Sequence, residues 1–316
     1  MTRADTGLVH SVQARIVNHA KKLGVEATLV FSRYGLERFL YRLSTSEYAE
    51  RFILKGAMLM LAWVGETVRT TRDADLLGFG SLTGDEIVLI FREIMSTGGD
   101  PEDGVVFLPE TLAVNPIREG EQYGGQRVTF EGRLGNVKLP LQVDVGIGDA
   151  VYPPAEWMEY PSLLNVPRPM VRTYQPETSI AEKLHAIVDL GEANSRMKDF
   201  FDIAELARIR EFDGAAMSRA IRETFARRKT PIVATPVGLT SRFGMDASKQ
   251  RQWEAFVSKN RIDASMVFEA WVLRVAFFAG PALAALSRGA EFRGRWQAGG
   301  QWWIPEGERA PGASES

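Results

Sequence analysis

The sequence has no cysteine, and its three histidines, His10, His19 and His185, are scattered. Disulfides and thiolate zinc sites are thereby excluded, and a histidine-built metal centre has no cluster to form on. No uninterrupted apolar run approaches the roughly 18 residues of a membrane span. The opening residues, Met1-Thr2-Arg3-Ala4-Asp5, lead into polar helix rather than an apolar signal core. A cytoplasmic protein without membrane association is the expectation. An excess of one charge is also missing: 38 Lys and Arg stand against 40 Asp and Glu, for a formal net charge of -2. Any nucleic-acid binding must therefore come from a local patch. No segment repeats. What is present is a soluble globular balance, 45% hydrophobic and 25% charged over 316 residues, enough for one large domain or two ordinary ones.

Apolar spacing predicts a helix over 7–23, stopped by Gly24, and a second amphipathic helix over 26–44. The second would bury Leu29, Tyr34, Leu36, Phe39, Leu40 and Leu43, with Arg33, Glu37 and Arg38 on its wetter side. Residues 50–54 read as a strand leading into Gly56, 83–97 as a helix, and Gly98-Gly99-Asp100-Pro101 as a turn. Short strands are expected at 105–107 and 111–117, and stronger ones at 126–131 and 136–145. In the last of these, Val137, Leu139, Leu141, Val143 and Val145 alternate with Lys138, Pro140, Gln142 and Asp144, so Asp144 points off the apolar face. Residues 150–176 are Pro-rich, an ordered crossover with a short strand near Met170-Val171. Helices are expected at 177–190, 197–210, 214–227, 248–257 and 263–287. The domains read as a core over 1–150, a mainly helical domain over 151–304 and a disordered tail over 305–316. Trp296, Trp302 and Trp303 are expected to pack on the body rather than stack on bases.

The chemistry centres on Asp73-Ala74-Asp75. On an extended chain, residues two apart face the same way. Two convergent carboxylates with a basic flank suit a hard divalent cation such as Mg2+, which takes oxygen ligands; a solvated Asp-Ala-Asp turn is the alternative. Asp144 is the candidate third carboxylate for an acceptor-side metal, as ligand or base. Arg69 and Arg72 are either phosphate clamps or surface charge. A second cluster comprises Lys183, on a helix with Ile180, Leu184 and Ile187, followed by Arg196, Asp199 and Asp202. A lone Lys there is ordinarily solvated, and the two aspartates would serve as an N-cap and a surface residue. The density of charge inside an apolar frame favours a functional role. Arg219, Arg222, Arg227, Arg228 and Lys229 form a basic run at a helix end, read either as a solvated terminus or as an RNA-facing patch.

Taken in order, Leu36-Glu37-Arg38-Phe39-Leu40-Tyr41-Arg42-Leu43-Ser44, Lys55-Gly56-Ala57, Arg69-Thr70-Thr71-Arg72-Asp73-Ala74-Asp75-Leu76, Glu182-Lys183-Leu184 and Arg196-Met197-Lys198-Asp199-Phe200-Phe201-Asp202-Ile203 resemble the AbiEii nucleotidyltransferase toxins of AbiE phage-defence modules. The MenT toxins of mycobacteria belong with that family. The resemblance covers residues 26–205. It implies an α+β chain: a DNA polymerase β-like nucleotidyltransferase fold, a mixed sheet with flanking helices, followed by a helical C-terminal domain. It implies transfer of a nucleotide from an NTP to an RNA acceptor, the 3′ end of tRNA in the MenT branch, which blocks translation and growth. Mg2+ or Mn2+ is the implied cofactor, and a cognate antitoxin encoded nearby the implied partner. Asp73 and Asp75 match the metal-binding pair, Lys183 the catalytic lysine and Asp199 the acid of the Lys-Asp-x-x-Asp segment. Lys55, Gly56, Arg69, Arg72, Lys183 and Asp202 are the nucleotide-binding candidates. Ala57 departs from the superfamily's Gly-Ser or Gly-Gly, so only a backbone N–H can meet phosphate there. NTP-dependent phosphoryl transfer to a protein or antitoxin, and a non-catalytic NTP- or RNA-binding module, stay open as alternatives.

Overall fold

The computed structural model describes residues 3–65, 71–80, 82–98, 103–117, 124–262 and 266–307. It divides into two compact units, one of Met1–Trp63, Thr70–Asp149 and Ala155–Thr173, the other of Val64–Arg69, Ala150–Pro154 and Tyr174–Ser316. The first unit is a mixed sheet with helices. Its strands are β1 (Phe52–Lys55), β2 (Asp73–Gly78), β3 (Val105–Ile117), β4 (Gly125–Leu134), β5 (Val137–Ile147), β6 (Glu156–Glu159) and β7 (Met170–Thr173). They form one seven-stranded sheet in the order β3-β4-β5-β2-β1-β7-β6. The β2–β5 and β1–β7 pairs are parallel and the others antiparallel. The two short strands expected at 105–107 and 111–117 are one long strand with an irregularity between Leu108 and Ala113. The Pro-rich crossover contributes two strands to this sheet, β7 beside β1 and β6 at the edge, so the first unit runs past residue 150 to Thr173.

Among the described residues, this unit has the α-helices α1 (Arg3–Leu23), α2 (Ala27–Ser44), α3 (Ala57–Val64) and α4 (Gly84–Ser96). A capping box between Thr83 and Glu86 starts α4, satisfying N–H groups that a first turn leaves open. Phe39 of α2, Phe91 of α4, Phe107 of β3 and Phe130 of β4 meet in one core, with ring centroids 5.1–6.5 Å apart. Here the structure departs from the amphipathic reading of α2: Arg33, Glu37 and Arg38 are buried. The reason is a second cover. Residues 160–169, Asp103 and Val105 lie on the helix and supply partners that replace water. Glu37 accepts from Arg33 Nε at 3.0 Å and from the Leu163 N–H at 2.8 Å. Arg38 donates to Pro167 O at 2.8 Å and Ser162 Oγ at 3.1 Å, and lies near the Tyr34 and Tyr41 rings. Arg42 donates to Asp103 Oδ2 at 3.2 Å and Val105 O at 2.7 Å. Burial pushes the Glu37 and Asp103 carboxyls up from their ordinary values, against the pull of the neighbouring arginines.

The second unit is mainly helical: α5 (Pro176–Leu190), α6 (Met197–Ile209), α7 (Gly214–Arg227), α8 (Ser241–Met245), α9 (Ala247–Asn260) and α10 (Phe268–Leu286), with a small ribbon of β8 (Phe212–Asp213) and β9 (Arg295–Trp296). By length and composition α10 is apolar enough to cross a membrane. In this unit it buries Trp271, Val272, Val275, Phe278, Ala282 and Leu283, as a core helix does. Trp296 and Trp303 pack against Phe278 and donate their indole N–H groups to Ala207 O and Phe278 O, both at 2.7 Å. Trp302 is exposed. Of the tail expected to be disordered, 308–316 lie outside the described residues; Ile304 bridges to Arg295.

Candidate active site

In the first unit the site is built by strand register. Asp73 and Asp75 lie on one face of β2, and Ala74 between them is wholly buried on the other. Parallel pairing with β5 sets Asp75 opposite Asp144, antiparallel pairing with β1 sets it opposite Lys55, and the β4–β5 pairing sets Arg127 opposite Asp144. Residues directly opposite across a ladder share a face. The sheet therefore carries one row, Arg127–Asp144–Asp75–Lys55, with the signs plus, minus, minus, plus, and Asp73 beside it.

Arg127, Asp144, Lys55 and Asp73 are held by identifiable bonds. Arg127 grips Asp144 with two parallel hydrogen bonds, Nε to Oδ1 at 2.9 Å and the terminal nitrogen to Oδ2 at 2.7 Å. The bond to Asp144 raises the Arg127 pKa above its ordinary value, Asp144's charge adds to this, and the charges of Asp73 and Asp75 contribute in the same direction. Asp73 accepts from Thr71 Oγ1 at 2.8 Å. Lys55 Nζ donates to Asp149 Oδ2 at 2.6 Å, with both side chains largely buried. Gly56 has φ of +72°, and a Cβ built there would stand 1.9 Å from Asp75 Oδ2. The Asp75 carboxylate thus lies against a backbone position that only glycine leaves open.

All the acidic donors here are oxygens, the class Mg2+ and Mn2+ prefer, and Asp73 and Asp75 are only half-buried. The donor set fits a hard divalent cation. Among the described residues, no three His, Asp or Glu side chains already stand as a preformed cage. Asp144 faces the Arg127 guanidinium. Arg127 and Asp149 escaped the sequence reading, yet a signal for Arg127 exists. Leu134-Gly135-Asn136-Val137 reads as a two-residue hairpin turn, and counting outward from the Leu134–Val137 pair brings Arg127 opposite Asp144.

The second unit holds the other cluster. Lys183 Nζ, on α5, donates to Asp202 Oδ2 at 2.8 Å and stands 3.7 Å from Asp199 Oδ1. Asp199 Oδ2 accepts from Arg196 Nε at 2.6 Å, and its Oδ1 makes no hydrogen bond among the described residues. Both aspartates are fully buried and the Lys183 side chain is 10% exposed. Solvated lysine and surface aspartates do not describe this group, and the N-cap of α6 is Arg196. Asp199 sits in the first turn of α6, where the helix dipole favours an anion. Asp202 is the counter-ion of Lys183, a role not read from the sequence.

The arginines divide. Arg69 lies outside the described residues, and Arg72 is exposed. The basic run is not one patch. Arg219 pairs with Glu223 and lies 4.0 Å from the centre of the Tyr152 ring. Arg228 pairs with Glu182 and contacts His185 Nδ1. Arg222, Arg227 and Lys229 are exposed.

Residues 38–274 match the family model described as nucleotidyl transferase AbiEii toxin, type IV toxin–antitoxin system. Two solved Helicobacter pylori structures are similar to this chain, one assigned as a nucleotidyltransferase and the other named JHP933. Each is 15% identical with a TM-score of 0.43 over 84% of this chain, covering 96% and 93% of its own chain respectively. No curated protein matches significantly.

Proposed function

The chain belongs to the AbiEii nucleotidyl transferase toxin family, and from that membership we propose that it transfers a nucleotide from an NTP to an RNA, the 3′ end of tRNA, and so blocks translation. The observation that carries this reading is the acidic face of β2, where Asp73 and Asp75 point the same way with Asp144 in register beside Asp75. In such a transfer the acceptor 3′-oxygen forms a bond to the α-phosphorus, the bond from that phosphorus to the bridging oxygen breaks, pyrophosphate leaves and the hydroxyl proton is released. Asp73 and Asp75 would hold Mg2+ or Mn2+, with Asp144 as the further ligand or base. Bound there, the cation neutralises phosphate charge and eases loss of the hydroxyl proton.

The chain's own residues supply the rest. Gly56 leaves room for the Asp75 carboxylate, and Thr71 orients Asp73. Ala57 offers no hydroxyl, so phosphate contact at this turn falls to backbone N–H groups. Lys183 is assigned the role of point charge on the triphosphate, held in place by Asp202 and Asp199. The type IV toxin–antitoxin description implies a cognate antitoxin as partner. The test is incubation of the purified protein with each labelled NTP, Mg2+ and total RNA, beside Asp73→Ala. Label in tRNA that is lost in the folded variant supports the reading. Label in protein, or full transfer by Asp73→Ala, overturns it.

A further inference from the structure

Arg127 is a member of the charged row to which the reaction above gives no role. It comes from β4, the strand beyond Asp144, and binds both Asp144 oxygens in fork geometry. That geometry directs the pair of oxygens at the guanidinium. It leaves Asp144 able to meet a cation only by sharing or surrendering them. The two ends of the pair differ: the Arg127 side chain is 46% exposed and that of Asp144 17%. The carboxylate is short and held close to its strand, whereas the arginine is a long side chain that is half-exposed. Gln142 Nε2 also donates to Asp144 Oδ1 at 3.3 Å, so Asp144 keeps a partner when the arginine leaves. Guanidinium forks match carboxylate and phosphate equally well.

We propose that Arg127 is an exchangeable counter-ion. It closes Asp144 in the free protein, yields it to the divalent cation when nucleotide arrives, and moves its fork to the phosphate oxygens. This rests on the nucleotidyl-transfer reading only for its second half; competition between Arg127 and a cation for Asp144 stands on the geometry alone. The exchange makes two effects of opposite sign. Removing the guanidinium leaves Asp144 open and takes a positive charge away from a cation site, so bare Mn2+ binds more tightly. It also removes a phosphate contact, so nucleotide binds more weakly. A residue that merely braced the sheet would weaken both.

The experiment titrates the full-length protein with Mn2+ alone, reading free Mn2+ by electron paramagnetic resonance. It then measures binding of each of the four ribonucleoside triphosphates with Ca2+ in place of a catalytic cation. Arg127→Met is compared with wild type, and Arg127→Lys keeps the charge but loses the fork. For a partly exposed pair of this kind the expected gain in Mn2+ affinity for Arg127→Met is about fivefold, with nucleotide affinity reduced by a similar factor. Arg127→Lys should lie between the two. Melting curves establish that the variants are folded, and Asp144→Asn, which lowers Mn2+ affinity if Asp144 is a ligand, provides a variant outside the arginine itself. Unchanged or weaker Mn2+ binding in folded Arg127→Met overturns the proposal. Tighter Mn2+ binding without nucleotide transfer by the wild type would leave the competition standing and refute the nucleotidyl-transfer reading.

Discussion

Replacing Gly56 by alanine tests the site where its backbone is tightest. Two costs arise, and the structure separates them. The first is conformational: at φ of +72° an L-residue loses about 1–2 kcal/mol relative to glycine. The second is steric. The new Cβ would lie 1.9 Å from Asp75 Oδ2, so the carboxylate must retreat by about 1.5 Å to reach ordinary contact at 3.4 Å. Displacing a reacting group by about 1 Å costs on the order of a hundredfold in rate. Gly80 supplies the control, because it has φ of +85°, belongs to the same unit and would meet only the end of Arg51 at 3.5 Å. Gly80→Ala should therefore melt a little earlier and transfer nucleotide nearly as well as wild type. Gly56→Ala should melt at least as early and transfer about a hundredfold more slowly, with Mn2+ affinity reduced because Asp75 has moved. Both readouts use the labelled-NTP assay and a thermal melt. If folded Gly56→Ala transfers within a few fold of Gly80→Ala, the position of Asp75 against this backbone does not matter to the chemistry, and the geometric argument fails.

Three further outcomes follow from other parts of the chain. Lys183→Ala should lower turnover more than nucleotide affinity; because it removes the ammonium bound to buried Asp202, while Asp199 keeps Arg196, it should also cost stability, about 3 kcal/mol at most, so the kinetics belong at low temperature on protein verified as folded, and unaltered turnover would refute its role. The raised pKa values of Glu37 and Asp103 mean that the folded state binds their protons more tightly than the unfolded chain. The stability they contribute is fully present below their unfolded values and is lost as pH rises through the folded ones, so Glu37→Gln should flatten the dependence of the melting temperature on pH in that window, and an unchanged slope would count against it. Simultaneous reversal of Arg222, Arg227 and Lys229 to Glu should weaken RNA binding and make it less salt-dependent, by about 0.7 in log–log slope for each phosphate contact removed, while leaving NTP binding intact.

The sequence made the sheet and the helical second half legible because both rest on local periodicity. Val137 to Val145 alternate cleanly, and Asp144 fell on the polar side as that alternation requires. The i, i+2 spacing of Asp73 and Asp75 likewise sufficed to place them together once β2 was extended. What stayed hidden depends on tertiary cover. Arg33, Glu37 and Arg38 occupy the face of α2 that helical spacing assigns to water, and the segment that buries them lies more than a hundred residues away in the chain, as the separations of 124, 126 and 129 residues show. Strand β6, with Trp157 exposed, has too little apolar patterning to stand out. Helical spacing alone could not tell Lys183 from a solvated lysine, because its counter-ions come from another helix; the charge density around it and the family resemblance marked it.

The charged face of α2 bears on how this protein can be cut. A fragment ending at residue 150, where composition changes, would lose Ser162, Leu163 and Pro167. Glu37 and Arg38 would then lose their partners from that segment, and the sheet would lose β6 and β7. Apolar contacts tolerate a trimmed neighbour, since a hydrocarbon surface accepts another apolar neighbour or, at a cost that grows with area, water. Hydrogen-bonded ions are less forgiving, because each needs its own oxygen or N–H at a fixed distance. The smallest piece of this chain that can be expected to keep the acidic face of β2 in order must therefore extend through Thr173, and most of the Pro-rich crossover that the boundary at residue 150 assigns to the second domain belongs to the first.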